Sequence, residues 1–330
     1  MPGIYILSDY GKLSKQSEHL VFDDGKGNVQ KLLISDMEML VLQGKISITA
    51  DSFRLMAKNG LPVYIMENGA PNVSIDYGLS KNGFLRQNQY RIQSDAKKSL
   101  GIAKAIVQGK IKNQLTFLRR LERLGGLSLD RQIAGMDGYL KNASKCNNKE
   151  KLRGLEGCSA RAYFDLFDLN IKPDWAVFGT RSRQPPKTNV NAALSYIYSL
   201  LECRVQCALE AVGLDTMCSN LHEMTYGKNS LVFDLMEEFR TPIGDALCCT
   251  VFNHGMISET DFCNANGGVY LTSDGCSKVI NAFESKMKSE ALYEPEGETL
   301  SYLKIIFEQA RAYKRFTLGQ TDSYRPFAMR

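Results

Sequence analysis

From Gly3 to about Tyr77, short apolar runs rich in β-branched and aromatic residues alternate with turn formers: IYIL (4–7), HLVF (19–22), VQKLLI (29–34), MLVL (39–42), ISI (46–48) and PVYIM (62–66). Between them lie DDGKGN (23–28), QGK (43–45) and ENGAPN (67–72), whose Gly, Asn, Asp and Pro residues suit tight connections. The pattern predicts a small β domain, with a short helix around Ser52–Lys58 ahead of the Asn59-Gly60 turn.

After LSKNG (79–83) the period changes. Ile92, Ala96, Leu100, Ala103, Val107, Ile111, Leu115, Leu118 and Leu121 recur at three- and four-residue steps, the stripe of one long helix with an interruption expected near Gly109. Lys97, Lys98, Lys104, Lys110, Lys112, Arg119, Arg120 and Arg123 share that segment, and a solvated face and a phosphate-contacting face account for them equally well. Further helices are predicted over Leu129–Leu140, Lys149–Leu166, Val190–Val212, Leu231–Phe239, Lys278–Met287 and Leu300–Lys314. VYLT (269–272), bounded by glycines, reads as a small strand or extension. No repeat of fixed period and no low-complexity tract interrupts the chain. The fold class is α+β: an N-terminal β-rich domain over 1–78, a linker over 79–88, and a large α-helical C-terminal domain over 89–330.

A length of 330 residues with 44% hydrophobic content supports a sizeable core in two domains and excludes a disordered or fibrous chain. The formal charge of +5, from 41 Lys and Arg against 36 Asp and Glu, permits a polyanionic partner without demanding one. Nine cysteines show no paired spacing, so reduced, mostly buried thiols are expected rather than a disulfide framework. The start MPGIYILSDYGKL has no basic segment leading into an apolar run, and no stretch of about 18 apolar residues occurs. A cytoplasmic, soluble protein with no membrane partner is the expectation.

Several familiar chemistries lack their motifs. GxxxxGK[ST], GxGxxG after a strand, GxSxG, HExxH and CxxC are all missing, which leaves carboxylate and imidazole chemistry. Histidine is scarce. His19 lies beside an apolar strand and reads as structural, and His254, next to Gly255, reads as a helix-end residue in preference to a phosphate contact. His222 has better company: a Gly-Lys-Asn turn separates it from a helix on which Asp234 and Glu237, three residues apart, project together toward the preceding loop. A histidine facing two carboxylates can hold an ion, although acids on a helix are usually solvated. In KLRGLEGCSARAYFDLF (151–167), Glu156 stands between two glycines among small and apolar neighbours. Burying it requires a compensating cation, either Arg153 or Arg161 in a salt bridge or a metal ion.

Together with the β-rich start, three blocks, GLEGCSARAYF (154–164), RQPPKTNVNAALSYIYSLLECRVQCALEAVGLD (183–215) and LHEMTYGKNSLVFDLMEEFR (221–240), give the chain a family resemblance over nearly its whole length. It resembles CRISPR-associated protein 1, the integrase family that inserts spacers into CRISPR arrays. The resemblance implies a divalent ion, Mg²⁺ or Mn²⁺, held at the positions of Glu156, His222 and Glu237, with Asp234 supporting the site or competing with Glu237 as third ligand. It also implies a homodimer formed through the β domain, whose roughly 75 residues have little core of their own, and a dimer of CRISPR-associated protein 2 as partner. The DNA partners it implies are duplexes with single-stranded ends and CRISPR repeat DNA.

Such a centre can neutralise a phosphodiester and activate water for cleavage or a 3′-hydroxyl for joining. Around it, Arg181, Arg183 and Lys187 suit either phosphate contact or a plain basic loop. Tyr163 lines the site or belongs to the core, and Asn191 contacts DNA or, the favoured reading, caps the helix over 191–212. Arg311, Lys314, Arg315, Arg325 and Arg330 form a basic tail that contacts DNA or stays disordered. Two alternatives to an antiviral-defence integrase and endonuclease remain: a metal-dependent nuclease for branched repair intermediates, and a non-catalytic DNA-binding scaffold.

Overall fold

The computed structural model describes residues 3–67, 69–75 and 82–329, and the chain divides into two compact units, Met1–Lys81 and Asn82–Arg330. In the first unit six strands, β1 (Gly3–Gln16), β2 (His19–Asp23), β3 (Val29–Leu33), β4 (Met39–Ile48), β5 (Val63–Glu67) and β6 (Ala70–Ile75), form one sheet in the order β3-β2-β1-β4-β5-β6. The central pairs β1–β4 and β4–β5 are parallel, and α1 (Ala50–Lys58), capped by Thr49, supplies the crossover that the second of them needs. Leu13, Leu20, Leu40, Leu42, Leu55, Met56 and Val63 belong to one buried cluster, so this unit has a core of its own, contrary to expectation.

Two turns expected from sequence are resolved differently. MLVL and ISI are one strand, and Gln43-Gly44-Lys45 lies within it, where the pairing of β1 with β4 shifts register between Leu7 and Tyr10. Gly44 has φ 112°, and a Cβ there would stand 1.7 Å from Ser8 O, so the glycine serves a bulge and not a turn. Ala70–Asn72 of the expected turn begin β6; Asn68, the end of the expected β domain at 76–78 and the start of the linker at 79–81 lie outside the described residues.

The second unit is helical: α2 (Gly83–Ser94), α3 (Ala96–Gly125), α4 (Asp130–Lys145), α5 (Lys149–Phe164), α6 (Asn189–Ala211), α7 (Ser230–Met236), α8 (Ala246–Asn253), α9 (Ser273–Lys288) and α10 (Tyr302–Thr317). Residues 83–88, expected in the linker, are the first turns of α2. The long apolar stripe is broken at Asp95, whose carboxylate caps α3 by accepting from Lys97 N and Lys98 N at 3.0 Å. Gly109 does not interrupt α3. A Cβ there would lie 2.7 Å from Pro326, so the glycine admits the C-terminal tail against the helix. VYLT contributes β8 (Gly268–Leu271), paired antiparallel with β7 (Phe262–Ala265), and a hairpin of β9 (Glu290–Tyr293) and β10 (Glu298–Ser301) precedes α10. Among the described residues no helix is long and apolar enough to cross a membrane, and the cysteines are free thiols.

The tail is docked. Tyr324, Phe327 and Met329 are buried, and Glu238 holds them by accepting from Phe327 N at 2.7 Å, from Gln309 Nε2 at 2.6 Å and from the Tyr324 hydroxyl. Asn113 of α3 completes the clamp, donating to Glu238 O and Phe327 O and accepting from Met329 N. Arg311 pairs with Glu308, whereas Arg330 lies outside the described residues. Burial pushes the Glu238 carboxyl up to about 7, against the lowering effect of Tyr324, Phe327 N and Gln309. A raised acid contributes stability below its unfolded value of 4.5 and loses it as pH rises through about 7. Glu238→Gln, whose amide can keep its oxygen toward Phe327 N and its NH₂ toward Tyr324, is therefore expected to flatten the decline in wild-type stability over that interval in urea unfolding. Glu238→Ala is expected to cost about 3 kcal/mol and to expose the last residues to limited proteolysis.

Candidate metal centre

Three segments distant in sequence converge on one buried ammonium. Glu156 comes from the middle of α5, a helix started by Asn148, which accepts from Glu150 N and Lys151 N. Glycines at 154 and 157 are unfavourable inside a helix by about 1 kcal/mol each, and a Cβ at either would meet nothing within 4 Å. Glu237 ends α7 and is 4% exposed. Between the two acids stands Lys110 of α3, its Nζ in contact with Glu156 Oε1 and 2.7 Å from Glu237 Oε2. The lysine lies off the axis of a hydrogen bond to Oε2, which has no aligned donor although buried. Arg240 Nε donates to Glu237 Oε1 at 3.0 Å from the opposite side.

Burial alone would raise the Glu237 carboxyl, but Arg240 and Lys110 outweigh it and hold Glu237 well below the usual carboxylate range. Burial likewise opposes the charge on Lys110, and Glu237 and Glu156 overcome it, so the lysine's pKa is raised. Arg240 follows the same pattern, with Glu237 more than offsetting desolvation.

His222 faces this cluster through Nε2, 3.9 Å from Glu237 Oε1, a separation too long for a hydrogen bond. Its orientation is set by Asp234, which is fully buried. Oδ2 accepts from Asn220 N at 2.7 Å and Leu221 N at 2.9 Å; Oδ1 accepts from His222 N at 2.9 Å and lies 2.8 Å from His222 Nδ1. With Asp234 ionised, Nδ1 carries the proton and Nε2 keeps its lone pair for the site. Both Asp234 oxygens are thus engaged away from Lys110, whereas both Glu237 oxygens face the cluster. Among the described residues no three His, Cys, Asp or Glu side chains already stand within joint reach of one ion, and Lys110 Nζ is what stands between the acids.

The remaining predicted site residues separate. The counter-cation of Glu156 is neither Arg153, which pairs with Glu223 at 3.3 Å, nor Arg161, but Lys110. Tyr163 is 1% exposed and donates to Asp245 Oδ2 at 2.9 Å, so it is a core residue with no face for DNA. Asp245 also accepts from Tyr198 and ends a π-helical segment, Arg240–Asp245, that follows directly on Glu237 and aims Arg240 over the Tyr198 ring. Asn191 is fully buried and is not the cap of α6. Thr188 is the cap, while Asn191 donates to Phe178 O and Thr180 O and accepts from Ser182 N and Arg181. Arg181 spends its guanidinium on Ser182 O, Asn191 and Ser195, and burial lowers its pKa to about 10. Arg183 and Lys187 are exposed, Lys187 donating to Gly267 O at 2.8 Å.

Sequence reasoning missed Lys110, Arg240 and Asp245 as parts of one assembly. The signal for Lys110 was present: it falls three residues after Val107 and beside Ile111, on the stripe side of α3, where an unpaired cation does not belong.

A family model described as CRISPR associated protein Cas1 matches residues 4–285. The chain is 32% identical over 331 residues to a protein of Thermus thermophilus named CRISPR-associated endonuclease Cas1 3, covering 99% of this chain and 97% of that one. It is 33% identical over 304 residues to CRISPR-associated endonuclease Cas1 1 of Moorella thermoacetica, covering 88% of each. Among solved structures, a casposase bound to integration product superposes with a TM-score of 0.88 at 23% identity, over 98% of this chain and 93% of that one. A CAS1 protein from Thermotoga maritima does so with 0.87 at 20% identity, over 99% and 100%. The Cas1-containing chain of a Cas6-RT-Cas1–Cas2 complex matches with 0.85 at 20% identity over 98% of this chain and 36% of that one.

Asp234→Ala strips the acceptor from three backbone N–H groups and from the His222 ring. A loss of about 3 kcal/mol or more in urea unfolding is expected, larger than for any exposed acid of the same unit.

Proposed function

The chain belongs to the CRISPR-associated Cas1 family, the DNA endonucleases and integrases of CRISPR adaptation, and we propose that Glu156, His222 and Glu237 hold the single divalent ion on which its cutting and joining of DNA depend. The observation that carries this reading is the convergence of two acids from different helices on one cationic point, with the Nε2 of an oriented imidazole turned toward it. Carboxylate oxygens and one imidazole suit Mg²⁺ or Mn²⁺. A bound ion of that kind supplies charge neutralisation at the scissile phosphate and a lower pKa for the attacking water or 3′-hydroxyl.

The chain's own residues do the rest. Asp234 is a positioning residue, keeping the His222 lone pair toward the acids. Arg240 holds one Glu237 oxygen in place, and its own position is secured by the Tyr198 ring beside Asp245. Glu156, with its side chain 26% exposed, is the edge of the cluster that a phosphodiester backbone can reach. Exposed Arg183 and Lys187 supply phosphate contacts that fix DNA without reading its sequence. The substrate is duplex DNA with single-stranded ends, inserted into CRISPR repeat DNA. A homodimer of this chain, docked on a Cas2 dimer, is the working assembly, a reading supported by the family and by the fold shared with the Cas1–Cas2 complex.

In a plasmid integration assay with a repeat-bearing target, Glu156→Ala, His222→Ala and Glu237→Ala are each expected to lower strand joining by roughly a thousandfold, with DNA affinity in metal-free buffer nearly unchanged. Asp234→Asn should lower it by about 10- to 100-fold, the usual loss when the partner of a ligating histidine is altered. Wild-type joining by His222→Ala in Mn²⁺ would show that the ion is held elsewhere.

A further inference from the structure

The cation that neutralises the two acids of the proposed centre belongs to the chain itself. Lys110 is 6% exposed, and Arg240 already stands on the far side of Glu237. Adding a divalent ion while the ammonium stays in contact with both carboxylates would crowd an excess of positive charge into a pocket of low dielectric, where repulsion at a few ångströms is strong. An arriving phosphate changes that balance. Two carboxylates and one phosphate carry three negative charges against four positive ones from the divalent ion, Lys110 and Arg240, so the phosphate halves the excess from two to one.

The direction of departure is also defined. The Glu156 side chain is 26% exposed and that of Glu237 5%, so the pocket opens on the Glu156 side. A lysine side chain pivoting from α3 toward that opening keeps its charge where a DNA backbone lies against the centre. Building on the assignment of Glu156, His222 and Glu237 as metal ligands, we propose that Lys110 is an internal competitor of the divalent ion, yielding the two carboxylates when a DNA phosphate arrives to receive its ammonium. Metal and DNA then bind with positive coupling, and by linkage each tightens the other by the same factor. The chain thus keeps a low affinity for free divalent ions until substrate is present, and Lys110 becomes a phosphate contact in the complex.

The test is Mn²⁺ affinity, read by titration calorimetry and by the electron paramagnetic resonance signal of the bound ion. The full chain is measured with and without a short duplex carrying single-stranded 3′ ends. Wild type is expected to bind Mn²⁺ about tenfold or more tightly with DNA than without. Lys110→Met is expected to bind it tightly in both conditions, with the DNA dependence lost. A lysine that merely held the pocket together would give the opposite sign, since its loss would loosen the site and weaken Mn²⁺ binding. Lys110→Arg keeps the charge and covers the case in which Lys110→Met does not fold; it is expected to remain weak without DNA.

Equal Mn²⁺ affinity of wild type with and without DNA overturns the proposal, as does Lys110→Met binding more weakly than wild type in the absence of DNA. Glu156→Gln separates the two levels of inference and reads the ion atmosphere of the DNA alone. If it leaves Mn²⁺ affinity intact, the ligand assignment has failed. If it abolishes specific binding while Lys110→Met is weak, only the role of Lys110 has failed.

Discussion

Charges taken out of water at Lys110, Glu237 and Arg240 are tolerable only in one another's company. Lys110 and Glu237 are buried and Arg240 is largely so, and each is held ionised against its desolvation by its neighbours, with Glu156 closing the group at the solvent edge. Removing any one leaves an uncompensated buried charge, a larger penalty than a missing contact in an apolar core. The cluster therefore ties α3, α5 and the end of α7 to one geometry, on which the proposed site depends.

Three acids within DLMEEF divide the work. Asp234 turns back to the loop before α7, satisfying three backbone N–H groups and orienting His222. Glu237 faces Lys110 and Arg240. Glu238 turns away to hold the C-terminal tail, with Asn113 of α3 gripping the same tail from the other side. Because Lys110 and Asn113 lie three residues apart on α3, the helix that supplies the central cation is also the one against which the tail is clamped. The tail is consequently packed into the second unit through Tyr324, Phe327 and Met329, while Arg325 stays exposed.

The parts of this organisation legible from residues alone are those governed by local rules. Short apolar runs rich in β-branched and aromatic residues located the strands of the first unit except β6, and three- and four-residue spacing located the helices of the second except α2 and α8, because side-chain direction follows backbone geometry. Turn chemistry was less reliable: Gly44 and Gly109 were expected to interrupt elements and instead permit close approach, by Ser8 and Pro326 respectively. A glycine reports that space or backbone freedom is needed, and the partner that requires it is remote in sequence. The same limit governed Asn191 and Tyr163, whose polar atoms are consumed by Phe178, Thr180 and Asp245.

By itself, the sequence determined the division into a β-rich and a helical part and the family to which the chain belongs, and it singled out Glu156, His222, Asp234 and Glu237 as candidates for its chemistry. Residue type and spacing suffice for that, since they decide helix faces and chemical capability. Only the tertiary structure decided which cation faces Glu156, and which way each acid turns. Lys110 is separated from Glu156 by 46 positions and is drawn to it by burial and charge, through contacts that no local pattern encodes. Asp234 and Glu237 are likewise told apart only in space: one acid accepts from three backbone N–H groups, and the other faces Lys110 and Arg240.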